Sequence, residues 1–142
     1  MRKLNVLFLC TGNSCRSQMA EGWAHQLKRD SLQPYSAGTH PKAVDPLAVQ
    51  VMREAGVDIS AHKPKHVNDL LQMPFDYVVT VCDAASEACP VFPGTAKIIH
   101  RGFDDPPALA KRASGGDDAL AIYRRVRDEI REFIETWDVV PG

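Results

Sequence analysis

Residues 4–19 decide the fold of this chain, and they read LNVLFLCTGNSCRSQM. The apolar run from Leu4 to Leu9 predicts one strand that is buried on both faces, as central parallel strands are. A polar loop follows it, and a helical pattern begins at Ser17, which we expect to be the N-cap. A buried strand that runs through a loop into a helix is the opening half of a unit with parallel strands.

The same alternation of strands and helices continues along the sequence. Further strands are predicted at 34–37, 76–81 and 97–100, and helices from the Asp45-Pro46 cap to Gly56, at 67–73 and through Tyr123 to Trp137. The stretch 104–107 is predicted as an extended loop. The predicted fold class is therefore α/β: a single domain over residues 1–142 with an open parallel sheet of about four strands and helices on both faces.

Composition excludes several functional classes. The net charge of −1 gives no support to a nucleic-acid partner. No apolar run approaches the roughly 20 residues of a membrane span, and no signal-peptide cleavage site follows the first strand, so we expect a cytoplasmic protein without a membrane partner. The cysteines at 10, 15, 82 and 89 lack zinc-site spacing, which leaves reactive thiols and merely buried thiols as alternatives.

Cys10 and Arg16 enclose a C-x5-R loop between the first strand and the first helix. Gly12 and Asn13 tolerate positive φ, so the backbone N–H groups can point inward as an anion nest beside the positive end of the helix. Arg16 can clamp a tetrahedral oxyanion with two hydrogen bonds. The same features favour the thiolate form of Cys10, so one loop would supply a nucleophile and bind its target. The predicted substrate-binding residues are Thr11, Gly12, Asn13, Ser14, Cys15, Arg16 and Ser17.

Three candidate reactive groups each follow a predicted strand. Cys10 follows the first strand, Cys82 follows 76–81, and Asp105 follows 97–100. Because the carboxyl ends of parallel strands meet at one edge of a sheet, where such folds bind ligands, these groups are expected to converge there.

The run from Cys10 to Ser17 resembles the phosphate loop of the low-molecular-weight protein tyrosine phosphatases, and residues 36–39, SAGT, match as well. The resemblance covers essentially the whole chain. It implies that Cys10 is the nucleophile, that Arg16 and Ser17 stabilise the oxyanion and the thiolate, and that Asp105 is the general acid. Asp104 stays an alternative to Asp105, and phosphate monoester hydrolysis through a Cys10 phosphoenzyme is one candidate function.

The sequence departs from those phosphatases where they carry aromatic side chains around the phosphotyrosine ring. The corresponding stretches here read HPKAV at 40–44 and PPAL at 106–109, and Gln18 stands where the phosphatases usually have proline. An aryl phosphate would have little to stack on, whereas a small inorganic oxyanion needs no aromatic wall.

Residues 10–23, 79–82 with Cys89-Pro90, and 102–106 resemble the thioredoxin-coupled arsenate reductases of the same fold. That resemblance implies reduction of arsenate to arsenite, as in arsenic detoxification. Cys10 would attack arsenate while Asp105 protonates the departing oxygen, Cys82 would then form a disulfide with Cys10, and Cys89 would take over Cys82. No tightly bound cofactor is implied, and thioredoxin is the expected reductant, with glutaredoxin as the alternative.

The segment between Cys82 and Cys89 is predicted to be helical from its composition. Seven helical positions span about 10 Å, which is farther than a disulfide reaches. We therefore expect this segment to change conformation when the two cysteines are oxidised.

Some relatives bind potassium beside the phosphate loop through groups that match Asn13, Glu21 and Ser36. Lys65 stands where those relatives have an aspartate, so its amine is an alternative to the ion, and no metal site is predicted. A third interpretation of the whole pattern is a non-catalytic module that binds oxyanions or senses redox state.

Overall fold

The computed structural model describes residues 3–82, 92, 94–112 and 116–138. Its centre is an all-parallel sheet of four strands in the order β2-β1-β3-β4. The strands are β1 (Leu4–Cys10), β2 (Leu32–Gly38), β3 (Tyr77–Thr80) and β4 (Lys97–His100). The α-helices are α1 (Arg16–Leu27), α2 (Pro46–Glu54), α3 (Pro106–Ala110) and α4 (Gly116–Thr136), and a 3-10 helix covers Val67–Leu70. The predicted α/β class with a parallel sheet is confirmed.

Alternation along the central strand β1 divides the core into two parts. Val6 and Phe8 face the side on which α1, α2 and α4 pack. Leu7 and Leu9 face the other side, where Val67 of the 3-10 helix belongs to the same cluster. Both faces of the sheet are covered, as expected, but the longest described helices share one face. Side chains therefore pack against both faces of β1, the strand that ends at the cysteine loop.

The start of α2 follows its sequence signal closely. The Asp45 side chain accepts a hydrogen bond from the N–H of Leu47 at 2.9 Å, and proline occupies the first helical position. Gly56, one residue beyond the C-cap, has a φ of 86°, the left-handed conformation that ends helices. Both predicted ends of this helix are confirmed.

Two local predictions are wrong. Ser17 is not an N-cap, because α1 begins one residue earlier, at Arg16, with Cys15 at the cap position. Residues 104–107 are not all extended, because Pro106 begins α3 and Asp105 is its N-cap. Proline at a first helical position favours a helix start as readily as a loop.

The predicted helix between Cys82 and Cys89 lies outside the described residues. Among the helices that are described, none has the length and apolar composition needed to cross a bilayer.

Candidate active site

The loop between β1 and α1 is built around the buried side chain of Asn13. Its φ of 47° is the left-handed conformation that an anion nest requires. Asn13 Oδ1 accepts a hydrogen bond from the N–H of Lys65 at 2.8 Å, and the Asn13 carbonyl accepts one from Gln18 Nε2 at 3.0 Å. The expected positive φ is therefore present at Asn13 but not at Gly12.

Gly38, at the end of β2, lets this loop lie against the sheet. A Cβ on Gly38 would stand 2.4 Å from the carbonyl oxygen of Thr11 and 2.8 Å from that of Cys10. Both contacts are shorter than real carbon–oxygen contacts, so a larger residue would displace the loop that carries the thiol.

The thiol of Cys10 lies at the base of the loop and is buried. Its sulfur is 2.9 Å from the hydroxyl oxygen of Ser17. That hydroxyl accepts a hydrogen bond from Asn13 Nδ2 at 2.9 Å, which leaves its own proton to be donated to the sulfur. A hydrogen bond donated to sulfur stabilises the thiolate, so Ser17 has an orientation suited to the role predicted for it.

Arg16 joins the loop to the segment that follows β4. Its guanidinium is buried and donates from Nη1 to the carbonyl of Phe103 at 3.1 Å. Its Nη2 lies 3.8 Å from Oδ1 of Asp105. The neighbouring Asp104 points elsewhere, because its carboxylate accepts a hydrogen bond from Arg125 at 3.0 Å. Of the two aspartates, Asp105 is the one placed beside the guanidinium.

A cavity of about 430 Å³ opens over the Cys10 loop. Arg16 and Lys42 bring positive charge to its wall, whereas Asp45 and Asp105 bring negative charge. No aromatic side chain of the described residues lines it, as the sequence comparison at 40–44 and 106–109 predicted. The described residues that line it are Cys10, Thr11, Gly12, Ser14, Cys15, Arg16, Lys42, Ala43, Asp45, Pro46, Asp105 and Pro107.

Cys82 lies two residues beyond β3, the strand that pairs directly with β1. The predicted convergence at one sheet edge is therefore present for Cys10, Cys82 and the Asp105 segment. Cys82 is fully buried and disulfide-bonded, whereas Cys10 and Cys15 are free thiols. The disulfide of Cys82 thus involves neither thiol of the phosphate loop. Cys89 lies outside the described residues.

Cys15 belongs to the hydrophobic core beneath the loop. Burial raises its pKa well above the usual range, and the negative charge of Asp45 raises it further. A buried, protonated thiol is a poor nucleophile, which agrees with the prediction that Cys15 packs under the loop.

Glu21 is the centre of the cluster in which a cation was considered. Ser36 donates to Glu21 Oε1 at 2.7 Å, and the ammonium of Lys65 lies 3.9 Å from the same oxygen. His62 Nδ1 lies 3.4 Å from Glu21 Oε2. A positive charge beside Glu21 is thus supplied by Lys65 itself.

Sequence reasoning missed the roles of Gln18, His62 and Tyr123 at this site. Gln18 donates to the Asn13 carbonyl and lies 3.0 Å from His62 Nδ1, and Tyr123 donates to Asp45. Gln18 did carry a signal, because it replaces the proline of the phosphatases. Tyr123 belongs to the apolar face of α4, and no local pattern separates its role from core packing.

Comparison with known proteins gives a consistent result. The family model of the low molecular weight phosphotyrosine protein phosphatases matches residues 5–138. An arsenate reductase of Halalkalibacterium halodurans is 44% identical over 137 residues, which are 96% of this chain and 96% of that protein. A solved arsenate reductase in the phosphate binding state has a TM-score of 0.77 at 30% identity and covers 93% of this chain and 94% of its own.

A further solved structure is that of a thioredoxin-dependent arsenate reductase of Corynebacterium glutamicum. It has a TM-score of 0.64 at 29% identity and covers 92% of this chain and 60% of its own. The cysteine loop, the order of the strands and the extent of these matches agree with one another. This chain therefore belongs to the low molecular weight phosphotyrosine protein phosphatase family, and its relatives over nearly its whole length include arsenate reductases.

Proposed function

We propose that this chain reduces arsenate to arsenite. The observation that carries the proposal is the position of a disulfide-bonded cysteine, Cys82, at the end of the strand adjacent to the one that ends in Cys10. Ester hydrolysis needs only the thiol of the phosphate loop, whereas reduction of arsenic needs two electrons, which a pair of thiols supplies when it forms a disulfide. The relatives named arsenate reductase support the same reaction.

In the first step the Cys10 thiolate attacks the arsenic of arsenate, and one oxygen leaves as water. Arg16 and the N–H groups of the loop bind the remaining oxygens, and Asp105 donates the proton that the departing oxygen needs. The 3.8 Å between Arg16 and Asp105 supports this assignment, because both groups then face the same oxyanion. Ser17 stabilises the thiolate before attack.

In the second step Cys82 attacks the sulfur of Cys10. The electron pair of the arsenic–sulfur bond passes to arsenic, which leaves as arsenite, and a Cys10–Cys82 disulfide forms. Cys89 then attacks Cys82, which releases the Cys10 thiolate and leaves a Cys82–Cys89 disulfide. A bonded Cys82 beside a free Cys10 is the arrangement that this last exchange produces.

We propose thioredoxin, in the reducing cytoplasm, as the dithiol that restores the enzyme. The support is the thioredoxin-dependent arsenate reductase of Corynebacterium glutamicum. No tightly bound cofactor takes part in the proposed sequence, since every electron passes through sulfur.

The test is arsenate-dependent oxidation of NADPH with thioredoxin and thioredoxin reductase, next to the same assay with glutathione and glutaredoxin. Turnover is expected with the thioredoxin pair. Cys82→Ser should abolish this turnover but leave hydrolysis of an aryl phosphate unchanged. Catalytic arsenate reduction by Cys82→Ser would show that the relay is wrong.

A further inference from the structure

The wall of an oxyanion site is an unexpected place for the carboxylate of Asp45. Asp45 lines the cavity above Cys10, and its N–H donates to the carbonyl of Ser14 in the phosphate loop at 2.9 Å. A negative charge here opposes the binding of a negative substrate. If the cavity binds an oxyanion, the electrostatic repulsion between Asp45 and that oxyanion must be weakened by other groups of the protein.

Each oxygen of this carboxylate is held by a donor of the protein. Oδ1 accepts from the N–H of Leu47 at 2.9 Å, which caps α2. Oδ2 accepts from the hydroxyl of Tyr123 at 2.5 Å, across 78 residues of sequence. Tyr123 is buried in the core beneath the site, on α4. Tyr123 is not among the described residues that line the cavity, so its hydroxyl bonds the carboxylate from the side of the core.

The negative charge of Asp45 affects the pKa of a residue in the phosphate loop. It is the largest electrostatic contribution that raises the pKa of Cys15, after burial itself. The Tyr123 hydroxyl responds to the same charge: burial, and then its hydrogen bond to Asp45, raise its pKa far above the usual range. The raised pKa means that the hydroxyl keeps its proton and donates it in a hydrogen bond to this carboxylate.

We propose that Tyr123 is a positioning residue for the oxyanion site, whose hydroxyl holds the Asp45 carboxylate toward the interior and weakens its repulsion of the bound substrate. A donated hydrogen bond spreads the negative charge toward the donor and fixes the orientation of the carboxylate. The inference rests on the proposed function for the identity of the substrate, but it applies to any tetrahedral oxyanion in this cavity.

The first experiment compares Tyr123→Phe with the double variant Tyr123→Phe/Asp45→Asn. Tyr123→Phe should raise the KM for arsenate and weaken binding of inorganic phosphate, measured by calorimetry on the reduced protein, by roughly tenfold, with kcat little changed. The double variant should restore both constants to within about twofold, because asparagine keeps the helix cap and removes the charge. A purely structural role for the tyrosine predicts no such rescue.

Two controls isolate the effect. Tyr35→Phe changes a tyrosine on the opposite face of the sheet and should leave the KM and the phosphate affinity as they are. Asp45→Asn alone should tighten phosphate binding about two- to threefold, and it tests the idea even if Tyr123→Phe does not fold. The inference is overturned if the double variant keeps the weakened binding, or if Asp45→Asn leaves phosphate binding unchanged or weaker.

The phosphate measurement separates this inference from the proposed function. A protein that follows the predicted pattern of phosphate affinities but never reduces arsenate would defeat the proposed function alone. A protein that reduces arsenate but lacks the rescue would defeat the assignment of Tyr123 alone.

Discussion

Two aspartates that line the same cavity, Asp45 and Asp105, are each followed by proline, and the fold uses them differently. Asp45-Pro46 begins α2 and Asp105-Pro106 begins α3. Asp45 caps its own helix and accepts a second bond from Tyr123, whereas Asp105 makes no side-chain capping bond and lies 3.8 Å from Arg16. The Asp-Pro dipeptide is the same in both places, so the difference comes from the side chains that the tertiary structure brings to each carboxylate. The Asp45 carboxylate stabilises the structure around the site, and the Asp105 carboxylate is available to the proposed reaction.

The largest expected effect is on kcat, and it should come from neutralising the carboxylate of Asp105. Asp105→Asn removes the proposed proton donor and should lower kcat for arsenate by about 100-fold or more, whereas Asp45→Asn should change kcat by no more than about twofold. Single-turnover release of arsenite from pre-reduced protein measures both. Equal losses of kcat in the two variants would show that the two aspartates do not differ in function.

The two aspartates should rank in the opposite order when each is replaced by alanine and the folding stability is measured. Asp45→Ala loses a helix cap and leaves the buried hydroxyl of Tyr123 without its acceptor, so the free energy of unfolding should fall by about 2 kcal/mol. Asp105→Ala should cost less, about 1 kcal/mol, because that carboxylate is a third exposed and caps nothing, so that the loss is limited to its ion pair with Arg16. Urea unfolding followed by circular dichroism provides the values. A larger loss for Asp105→Ala would contradict the comparison.

Alkaline pH should lower the folding stability through two buried groups near Asp45, Cys15 and Tyr123. The pKa values of Cys15 and Tyr123 are raised from ordinary values of 9.0 and 10.0, chiefly by burial and then by Asp45. Their protonated forms are therefore favoured in the folded state. The unfolded chain releases these protons first, so stability is complete below about pH 9 and falls by about 1.4 kcal/mol per pH unit for each group as the pH rises.

Chemical denaturation at a series of pH values above neutrality tests this dependence. Tyr123→Phe should remove the part of the slope that begins near the ordinary tyrosine pKa and keep the part due to Cys15. Stability that stays flat through the alkaline range would contradict the assignment of both groups.

The smallest effect should come from the cation that shares the cavity wall with the two aspartates. Lys42 lines the cavity, is exposed, and its N–H donates to the Gly12 carbonyl at 2.9 Å. Lys42→Gln should lower kcat/KM for arsenate by about two- to threefold at low ionic strength, with Lys42→Arg unaffected, and the difference should vanish in high salt. A loss that persists in high salt would mean that Lys42 acts through structure and not through charge.

The sequence was sufficient for the parts of the fold that depend on local pattern. The apolar run of β1, the cap at Asp45 and the glycine after α2 all act over a few residues, and their signals could be read directly. The convergence of Cys10 and Cys82 also followed, because it needs only the rule that parallel strands end at one edge.

Features that depend on distant partners could not be predicted. Ser17 has the composition of a cap, but its hydroxyl is engaged by Cys10 and Asn13 inside the loop. The difference between Asp45 and Asp105 is set by Tyr123 and Arg16, which no spacing rule connects to them. Cys89 and the conformational change expected of its segment stay predictions.

The bond from Tyr123 to Asp45 has a consequence for the order in which the protein becomes active during synthesis. The ribosome produces the reactive thiol of Cys10 113 residues before it produces Tyr123. At typical elongation rates of about 5–20 residues per second, the thiol exists for roughly 6 to 23 s before Tyr123 is added to the chain. The nascent chain thus carries a cysteine long before it has a finished anion site, and oxidation or metal capture in that interval would precede any catalysis.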